Sequence, residues 1–460
     1  NLYFLGIGLS ELIREVKTAV IRRRGFHTHI RGLGLDENGR ALFVGDGLVG
    51  QVKAREAAGI VVKMIKEGKM AGRGVLFVGP TGSGKTALAI AIAKELGEDT
   101  PFVDIDASEL YSAEVKKTEV LAQALRKAIG VRIREMRTVY EGYVKDIKIR
   151  RVKHPYNPYV FIPREASITL ATTDDQVTLN VGQSVVEQLI EKNVRRGDVI
   201  WIDSETGMVN IIGRTEVEGA RKYDIDVYKK IEIPKGPVKK QKEIVRTFTL
   251  YDLDLNFALR KASIFSIFGF EIEREIDPEL RKQVDEMIKK LVEDGRAELI
   301  PGVLFIDDVH MLDIEMFSFL SRAMESEMAP IIIMATNRGI TKIRGTDQDS
   351  PHGMPLDLLD RVLIIPTYPY NRDEIREILK IRASEEDIQL DEKALEELVD
   401  IGEKTSLRHA VQLMEPARII AKTKGREKVS VEDVREAAQL FMDVKHSVEH
   451  VKKYEELFLR

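Results

Sequence analysis

Residues 75–96 constrain the fold more than any other stretch of the chain. Val75-Leu-Phe-Val78 is a short apolar run suited to a buried strand, and Gly79-Pro80-Thr81-Gly82-Ser83-Gly84-Lys85-Thr86 follows it directly. An alanine-rich helical pattern then runs over 85–96. The octet fits G-x-x-x-x-G-K-[ST], in the strand–loop–helix setting its chemistry requires. Small residues let backbone N–H groups wrap a phosphate, and the following helix directs its positive end at the same point. Lys85 would neutralise β- and γ-phosphate oxygens, and the Thr86 hydroxyl would ligate Mg²⁺. The expected cofactors are ATP or ADP with Mg²⁺, and the expected core is α/β with a parallel sheet.

Such a loop needs an acid at the end of an adjacent strand to orient the metal. Val303-Leu-Phe-Ile-Asp307-Asp308 supplies one. Asp307 would hold Mg²⁺, directly or through water, and Asp308 would orient or deprotonate the attacking water. Two acids capping a helix after a strand is the plainer reading. The next apolar run, Ile331-Ile-Ile-Met-Ala-Thr-Asn337, ends in an amide suited to positioning that water, or in a turn-forming Asn. Leu356-Asp-Leu-Leu-Asp-Arg361 puts an arginine just before another strand. Arg361 is either a surface ion-pair residue or a finger for a neighbouring subunit's nucleotide.

A length of 460 residues suggests about three domains. The net charge of −4 excludes a histone-like chain but leaves room for a local basic face. The absence of cysteine removes disulfides, thiol catalysis and cysteine–zinc sites, and fits an intracellular protein. No apolar run approaches the ~18 residues of a membrane span, so a soluble protein without membrane partners is expected. It would be cytoplasmic in a prokaryote, nuclear and cytoplasmic in a eukaryote. Asn1-Leu-Tyr-Phe4 resembles most of a protease-cleavage scar, and about the first eight residues are set aside. The Leu2–Leu9 stretch is too short and wrongly flanked for a secretory signal.

The spacing predicts a helix over 10–24, a shaped loop over 25–50 with seven glycines, and a helix over about 51–68. Residues 131–215 change character, with strand alternation at 139–149, 159–171 and 176–181. A helix near 184–194 and a hairpin over 198–212 complete this β-barrel-like module. Residues 216–250 are lysine-rich and read as an extended or flexible arm. Helical pattern resumes near 277, and after Pro366 the chain is nearly all helix, with Ser430-x-x-Asp433 as a capping signal. Lys85 and Asp307 lie 222 positions apart, far more than a simple nucleotide core needs. An inserted domain at 131–293 therefore divides the core, 1–130 with 294–365, and a helical lid occupies 366–460. Within 131–170 there are nine Lys/Arg against four Asp/Glu, interleaved with Tyr140, Tyr143, Tyr156, Tyr159 and Phe161. A barrel offering cations for phosphates and aromatics for stacking suits single-stranded nucleic acid. A solvated barrel with aromatics in its core is the alternative.

Phosphate loop, paired acids after a strand, strand-terminal Asn, late Arg and helical lid, in this order, resemble the AAA+ ATPases. Four strings narrow this to a close resemblance to the RuvB-like ATPases, the pontin/reptin family. They are His27-Thr-His29-Ile-Arg-Gly-Leu-Gly-Leu-Asp36, Gly47-Leu-Val-Gly50, Ile306-Asp-Asp-Val-His-Met-Leu-Asp-Ile-Glu315 and Ser350-Pro-His-Gly-Met-Pro-Leu-Asp-Leu-Leu-Asp-Arg361. The resemblance covers about 10–460, and HTHIRGLGLD and ATNRGI look closer to the reptin branch. The charge-rich, amide-poor composition, with only 20 Asn and Gln, would suit an archaeal relative. The resemblance implies Lys85 and Thr86 as the phosphate-loop pair, Asp307 as the Mg²⁺ acid, Asn337 as first sensor and Arg361 as trans-acting finger. It further implies Arg408, in Thr405-Ser-Leu-Arg408, as second sensor, and His27 and His29 as histidines near the nucleotide base. It implies too that the insertion is OB-like and binds nucleic acid. One position departs: the family carries Asp-Glu where this chain has Asp307-Asp308, which implies slow hydrolysis with binding intact.

The leading expectation is a ring ATPase, a homo-oligomer and hexameric, coupling ATP hydrolysis to DNA unwinding or to remodelling of DNA–protein complexes. Residues 131–293 would hold single- or double-stranded DNA, or RNA. The rival is a nucleotide-gated scaffold or assembly chaperone for chromatin and transcription complexes. A metabolic small-molecule kinase is a weak third, since no second substrate pocket is legible.

Overall fold

The computed structural model describes residues 29–97, 99–111, 115–154, 157–215, 231–265, 275–443 and 447–448, with the backbone alone at 153–154, 157–162 and 260–265. The expected helix at 10–24 and His27 lie outside these residues. Two compact units divide the chain: Asn1–Ile129, Glu273–Glu275 and Ile300–Arg460 in the first, Gly130–Ile272 and Ile276–Leu299 in the second.

In the first unit the glycine-rich loop contains a minimal antiparallel pair, β1 (Val44–Gly45) and β2 (Leu48–Val49). Helix α1 (Val52–Lys66) buries Ala54, Ala58, Val61 and Val62, a stripe at helical spacing. The phosphate-loop strand β3 (Gly74–Val78) and helix α2 (Lys85–Leu96) stand where the sequence puts them. Strand β4 (Phe102–Asp106) and helix α3 (Lys117–Lys127) complete this first pass.

The second unit is organised on one strand, β5 (Ile129–His154), 26 residues long. The sequence reading placed only 139–149 in a strand. The pattern extends because the two halves of β5 find different partners. Its elements are β6 (Asn157–Ala171), β7 (Gln176–Val181), α4 (Gln183–Glu191), β8 (Asp198–Asp203) and β9 (Val209–Arg214). They continue with β10 (Lys239–Thr249), α5 (Leu250–Phe265), α6 (Pro278–Glu293) and β11 (Ala297–Pro301). The sheet order is β7-β6-β5-β8-β9, with β10 and β11 also paired to β5. Val144, Ile168, Leu170, Leu189, Ile200 and Val209 form its core. The arm expected at 216–250 is corrected over its described part: 239–249 is an 11-residue strand antiparallel to 130–140. Its lysines hid an alternation that buries Ile244 against Val139 and Trp201. Charged residues on a strand at the margin of a sheet block further pairing. Helix α5 had no counterpart in the sequence reading.

The chain returns to the first unit with β12 (Val303–Asp307), α7 (Ile314–Met324), β13 (Ile331–Thr336), β14 (Ile340–Lys342), β15 (Asp349–Pro351), α8 (Leu356–Leu359) and β16 (Val362–Pro366). The parallel sheet runs β16-β3-β13-β12-β4. Strands β3, β12, β13 and β16 read as apolar runs because both faces are covered, whereas β4, at the edge, carries Asp104 and Asp106. Val75, Phe77, Phe305 and Ile333 pack with Leu88 and Ile92 of α2 on one side. Leu76, Leu304, Ile306 and Met334 pack with Leu121 of α3 and Phe317 of α7 on the other. The lid is α9 (Arg372–Glu385), α10 (Glu392–Lys404), α11 (Leu407–Thr423) and α12 (Val431–Leu440). Capping boxes Asn371/Glu374 and Ser430/Asp433 start α9 and α12. Among the described residues no helix is long and apolar enough to cross a membrane.

Candidate nucleotide-binding site

The phosphate loop is held in place by its own chain. The Gly79 N–H donates to Thr336 O at 3.2 Å, tying the loop to β13. The buried Ser83 hydroxyl lies 2.8 Å from Pro80 O and 2.7 Å from Thr367 Oγ1. Gly84 precedes α2 at φ +84°, and a Cβ there would lie 2.3 Å from the Tyr370 hydroxyl. Only glycine fits that conformation and that gap. Lys85 Nζ donates to Gly79 O at 3.0 Å and to Pro80 O at 2.8 Å. Burial lowers the Lys85 pKa, Asp307 and Asp308 oppose this, and Arg408 adds to the lowering. Asp307, Asp308 and Arg408 are therefore each within electrostatic reach of Lys85. Thr86 is half-buried in the first turn of α2.

The acid-bearing strand is not adjacent to β3, as the sequence reading assumed; β13 lies between β3 and β12. The Asn337 strand is thus the immediate neighbour of the phosphate loop, and Asn337 Nδ2 donates to Thr81 Oγ1 at 3.2 Å. Asp307 Oδ1 accepts the Asp308 N–H at 2.9 Å. Burial pushes the Asp307 carboxyl above its usual range; the Asp308 amide and Lys85 offset part of that, while Asp308 and Asp106 add to it. A half-buried carboxylate beside further acids suits a divalent cation. Among the described residues no three His, Cys, Asp or Glu could hold a metal by themselves. Mg²⁺ would rest on Thr86, Asp307 and the nucleotide's own phosphates, its usual mode. Asp308 has left-handed backbone, φ 48° and ψ 43°.

The remaining residues named from sequence divide. Arg408 lies in the first turn of α11, behind the Ser406 cap, within the field of Lys85. His29 is half-buried, its pKa lowered by burial and by Arg382 of α9, with Glu385 opposing. Arg361 is not brought to the loop of its own chain. Its carbonyl accepts from Gly74, the first residue of β3, whereas the loop leaves β3 after Val78, about 13 Å along the strand. Its guanidinium pairs with Glu325, and both are substantially exposed.

Sequence reasoning missed several participants. Thr367 and Tyr370 touch the loop from the segment leading to the lid, and Gln51 holds that segment, accepting from Tyr368 N at 3.2 Å. Arg55, fully buried in α1, binds backbone carbonyls of the glycine-rich loop. None of the four stands in a spacing that marks chemistry.

In the second unit most described cations of 131–170 meet acids. Arg132 and Arg134 lie 3.1 and 3.5 Å from Glu298, and Arg137 lies 2.6 Å from Glu135 and 3.1 Å from Asp203. Lys148 and Arg150 lie 3.6 and 3.7 Å from Asp146 and Glu165. Tyr140 packs on the core and Tyr143 is half-buried. The side chains of Tyr156, Tyr159 and Phe161 are outside the described set.

Residues 23–373 match the TIP49 P-loop domain and residues 378–443 the TIP49 AAA-lid domain. The chain is 44 % identical over 453 residues to RuvB-like protein 1 of Arabidopsis thaliana, across 97 % of this chain and 99 % of that one. It is 44 % identical over 441 residues to RuvB-like helicase 1 of Candida glabrata, across 95 % and 96 %. With phosphate loop, acid-bearing strand, Asn337 strand and helical lid in one unit, and end-to-end likeness to these proteins, the chain belongs to the RuvB-like (TIP49) family of AAA+ ATPases.

Proposed function

We propose that the chain hydrolyses ATP at sites completed between subunits of a homo-oligomeric, hexameric ring, and that turnover drives unwinding of DNA or remodelling of DNA–protein assemblies. The observation that carries this is Arg361, which stands at the end of β3 opposite the phosphate loop. A side chain so far from its own nucleotide can act on a neighbour's. In this reading residues 79–86 cradle the phosphates, Thr86 and Asp307 hold Mg²⁺, and Asp308 and Asn337 position the attacking water. Arg408 senses the nucleotide from the lid, and His27 and His29 approach its base.

The name of the Candida glabrata relative supports a helicase, as does the cation excess of 131–170. A second reading, a nucleotide-gated scaffold for chromatin and transcription assemblies, is favoured by the ion pairs that occupy those cations. ATP turnover by the full chain with and without single-stranded DNA separates the two, with Lys85→Ala as the no-turnover control. Several-fold stimulation that fades steeply with salt supports the DNA motor. Slow turnover indifferent to DNA supports the scaffold.

Asp308 sets the expected speed. An aspartate carboxylate falls one C–C bond, about 1.5 Å, short of a glutamate's, and misplacement of that order costs on the order of 100-fold in rate. Left-handed backbone, at φ 48°, is better tolerated by Asp than by Glu. Asp308→Glu should therefore raise single-turnover hydrolysis by roughly 10- to 100-fold at a small loss of stability. A rate unchanged or lowered would show that the local backbone already makes up the reach.

A further inference from the structure

Three consecutive residues at the end of β13 meet two partners, Thr81 of the phosphate loop and His310 after the acid strand. Asn337 reaches the phosphate loop through Thr81 Oγ1, at 3.2 Å. Arg338 turns to the acid strand, its Nε donating to His310 Nε2 at 3.5 Å. The Thr336 hydroxyl lies 3.3 Å from His310 Nδ1 and accepts the Arg338 N–H at 3.2 Å. A guanidinium has no lone pair to offer, so His310 Nε2 is the acceptor in its contact with Arg338. The ring proton of neutral His310 then belongs to Nδ1. That N–H faces Thr336 Oγ1, while Asp308 Oδ1 lies 3.9 Å from the same nitrogen, beyond hydrogen-bond length. The His310 side chain is 9 % exposed and that of Asp308 41 %. The ring is the fixed member of the pair and the carboxylate the movable one.

We propose that His310 is a positioning residue for Asp308, and that Arg338 couples it to Asn337, so that the nucleotide felt at the phosphate loop sets the aim of the Asp308 carboxylate. The proposal rests on Asp308 being the acid that orients the attacking water. No proton changes hands in the coupling: His310 keeps its Nδ1–H and donates it as a hydrogen bond. The movement required is small, since closing the 3.9 Å separation to hydrogen-bond length takes about 1 Å. A displacement of that size at a reacting group is worth on the order of 100-fold in rate. It also matters more here than for a longer acid, because a short side chain on left-handed backbone has few directions of its own.

The test is single-turnover ATP hydrolysis and ATP affinity of the full chain carrying His310→Asn, His310→Gln, His310→Phe or Arg338→Met. Asparagine puts an amide nitrogen roughly where Nδ1 lies, and glutamine roughly where Nε2 lies. His310→Phe should slow hydrolysis by roughly 30- to 100-fold with affinity within about threefold. His310→Asn should recover at least tenfold of that loss and His310→Gln should not, the reverse of what side-chain volume alone would give. Arg338→Met, on an exposed residue that does not threaten folding, should slow hydrolysis by about tenfold, and Asp308→Asn should abolish the effect of either change. His310→Phe within threefold of the parent while Asp308→Asn is inactive would overturn the role of His310. Rescue by Gln rather than Asn, or additive losses in the double variants, would overturn it as well. If Asp308→Asn itself hydrolyses at the parental rate, it is the underlying reading of Asp308 that fails.

Discussion

Replacing Arg361 by alanine should slow ATP turnover by on the order of 10³-fold while leaving ATP affinity unchanged. The two halves of that expectation have separate causes. In the proposed site, affinity rests on the loop and on Lys85, Thr86 and Asp307, none of which Arg361 touches. Rate is set by charge that develops on the transferring phosphoryl group, where a neighbour's guanidinium acts only in the transition state. The pair with Glu325 does not oppose this, since an exposed ion pair is worth at most about 1 kcal/mol and yields readily to a phosphate. Mixing makes the test specific to a shared site. Arg361→Ala subunits keep an intact loop, and Lys85→Ala subunits keep an intact finger. Neither alone should turn over, yet randomly mixed equal amounts should regain about a quarter of parental activity, because half the sites have an intact loop and half of those meet an intact finger. Slow turnover by Arg361→Ala without recovery on mixing would mean the arginine serves its own subunit or only the fold. Full activity in Arg361→Ala would return Arg361 to the plain surface ion pair.

Residues whose chemistry dictates their spacing are legible in the sequence. Gly79–Thr86 could be read because wrapping a phosphate leaves little freedom in residue type, and Asp307 because its carboxylate must end a strand. The order of the strands was not legible: that β13 separates β3 from β12 depends on contacts far apart in sequence. Nor was β10, whose lysines outweigh its alternation by composition yet pair with β5 over 11 residues. His310 and Arg338 were hidden for another reason. Each is an ordinary loop residue in sequence, and they become a pair only when β12 and β13 lie side by side. The resemblance named His27 and His29, but a His-x-His spacing alone points nowhere, and only His29 falls among the described residues.

Arg55 is the extreme case of an invisible residue, and Arg55→Met should be the most damaging single change to the fold of the nucleotide-binding unit. Its guanidinium is fully buried and serves four backbone carbonyls. Nε donates to Leu33 O at 2.7 Å, Nη2 to Gly34 O at 2.7 Å, and Nη1 to Gly50 O at 3.2 Å and to Leu42 O. Burial lowers its pKa, and Asp46, Tyr370 and Glu56 oppose that, but an arginine stays charged regardless. Replacing a buried charge by an apolar group can be harmless when its partners are replaced too. Here the partners are main chain and remain. Withdrawing a donor from four carbonyls, of which Gly34 O keeps the Leu42 N–H, costs roughly 1 kcal/mol each or more and gives an expected loss of about 3–5 kcal/mol. Gly34 shows how closely the loop is fitted, since a Cβ there would lie 2.5 Å from Arg55 Nη2. The readout is amide hydrogen exchange at Leu42 and Gly50, whose N–H groups donate to Gly34 O and Phe43 O within the loop. Protection there should fall roughly 10²- to 10³-fold. Arg55→Lys should recover little of it, because one ammonium cannot span a fork of four carbonyls. ATP affinity should fall as well, since the Leu33 N–H donates to Glu95 of α2 at 2.9 Å and the loop braces the helix that carries Lys85. Protection lowered less than fivefold in Arg55→Met would mean that Asp46 and Glu95, which accept the Gly34 and Leu33 amides, hold the loop without it.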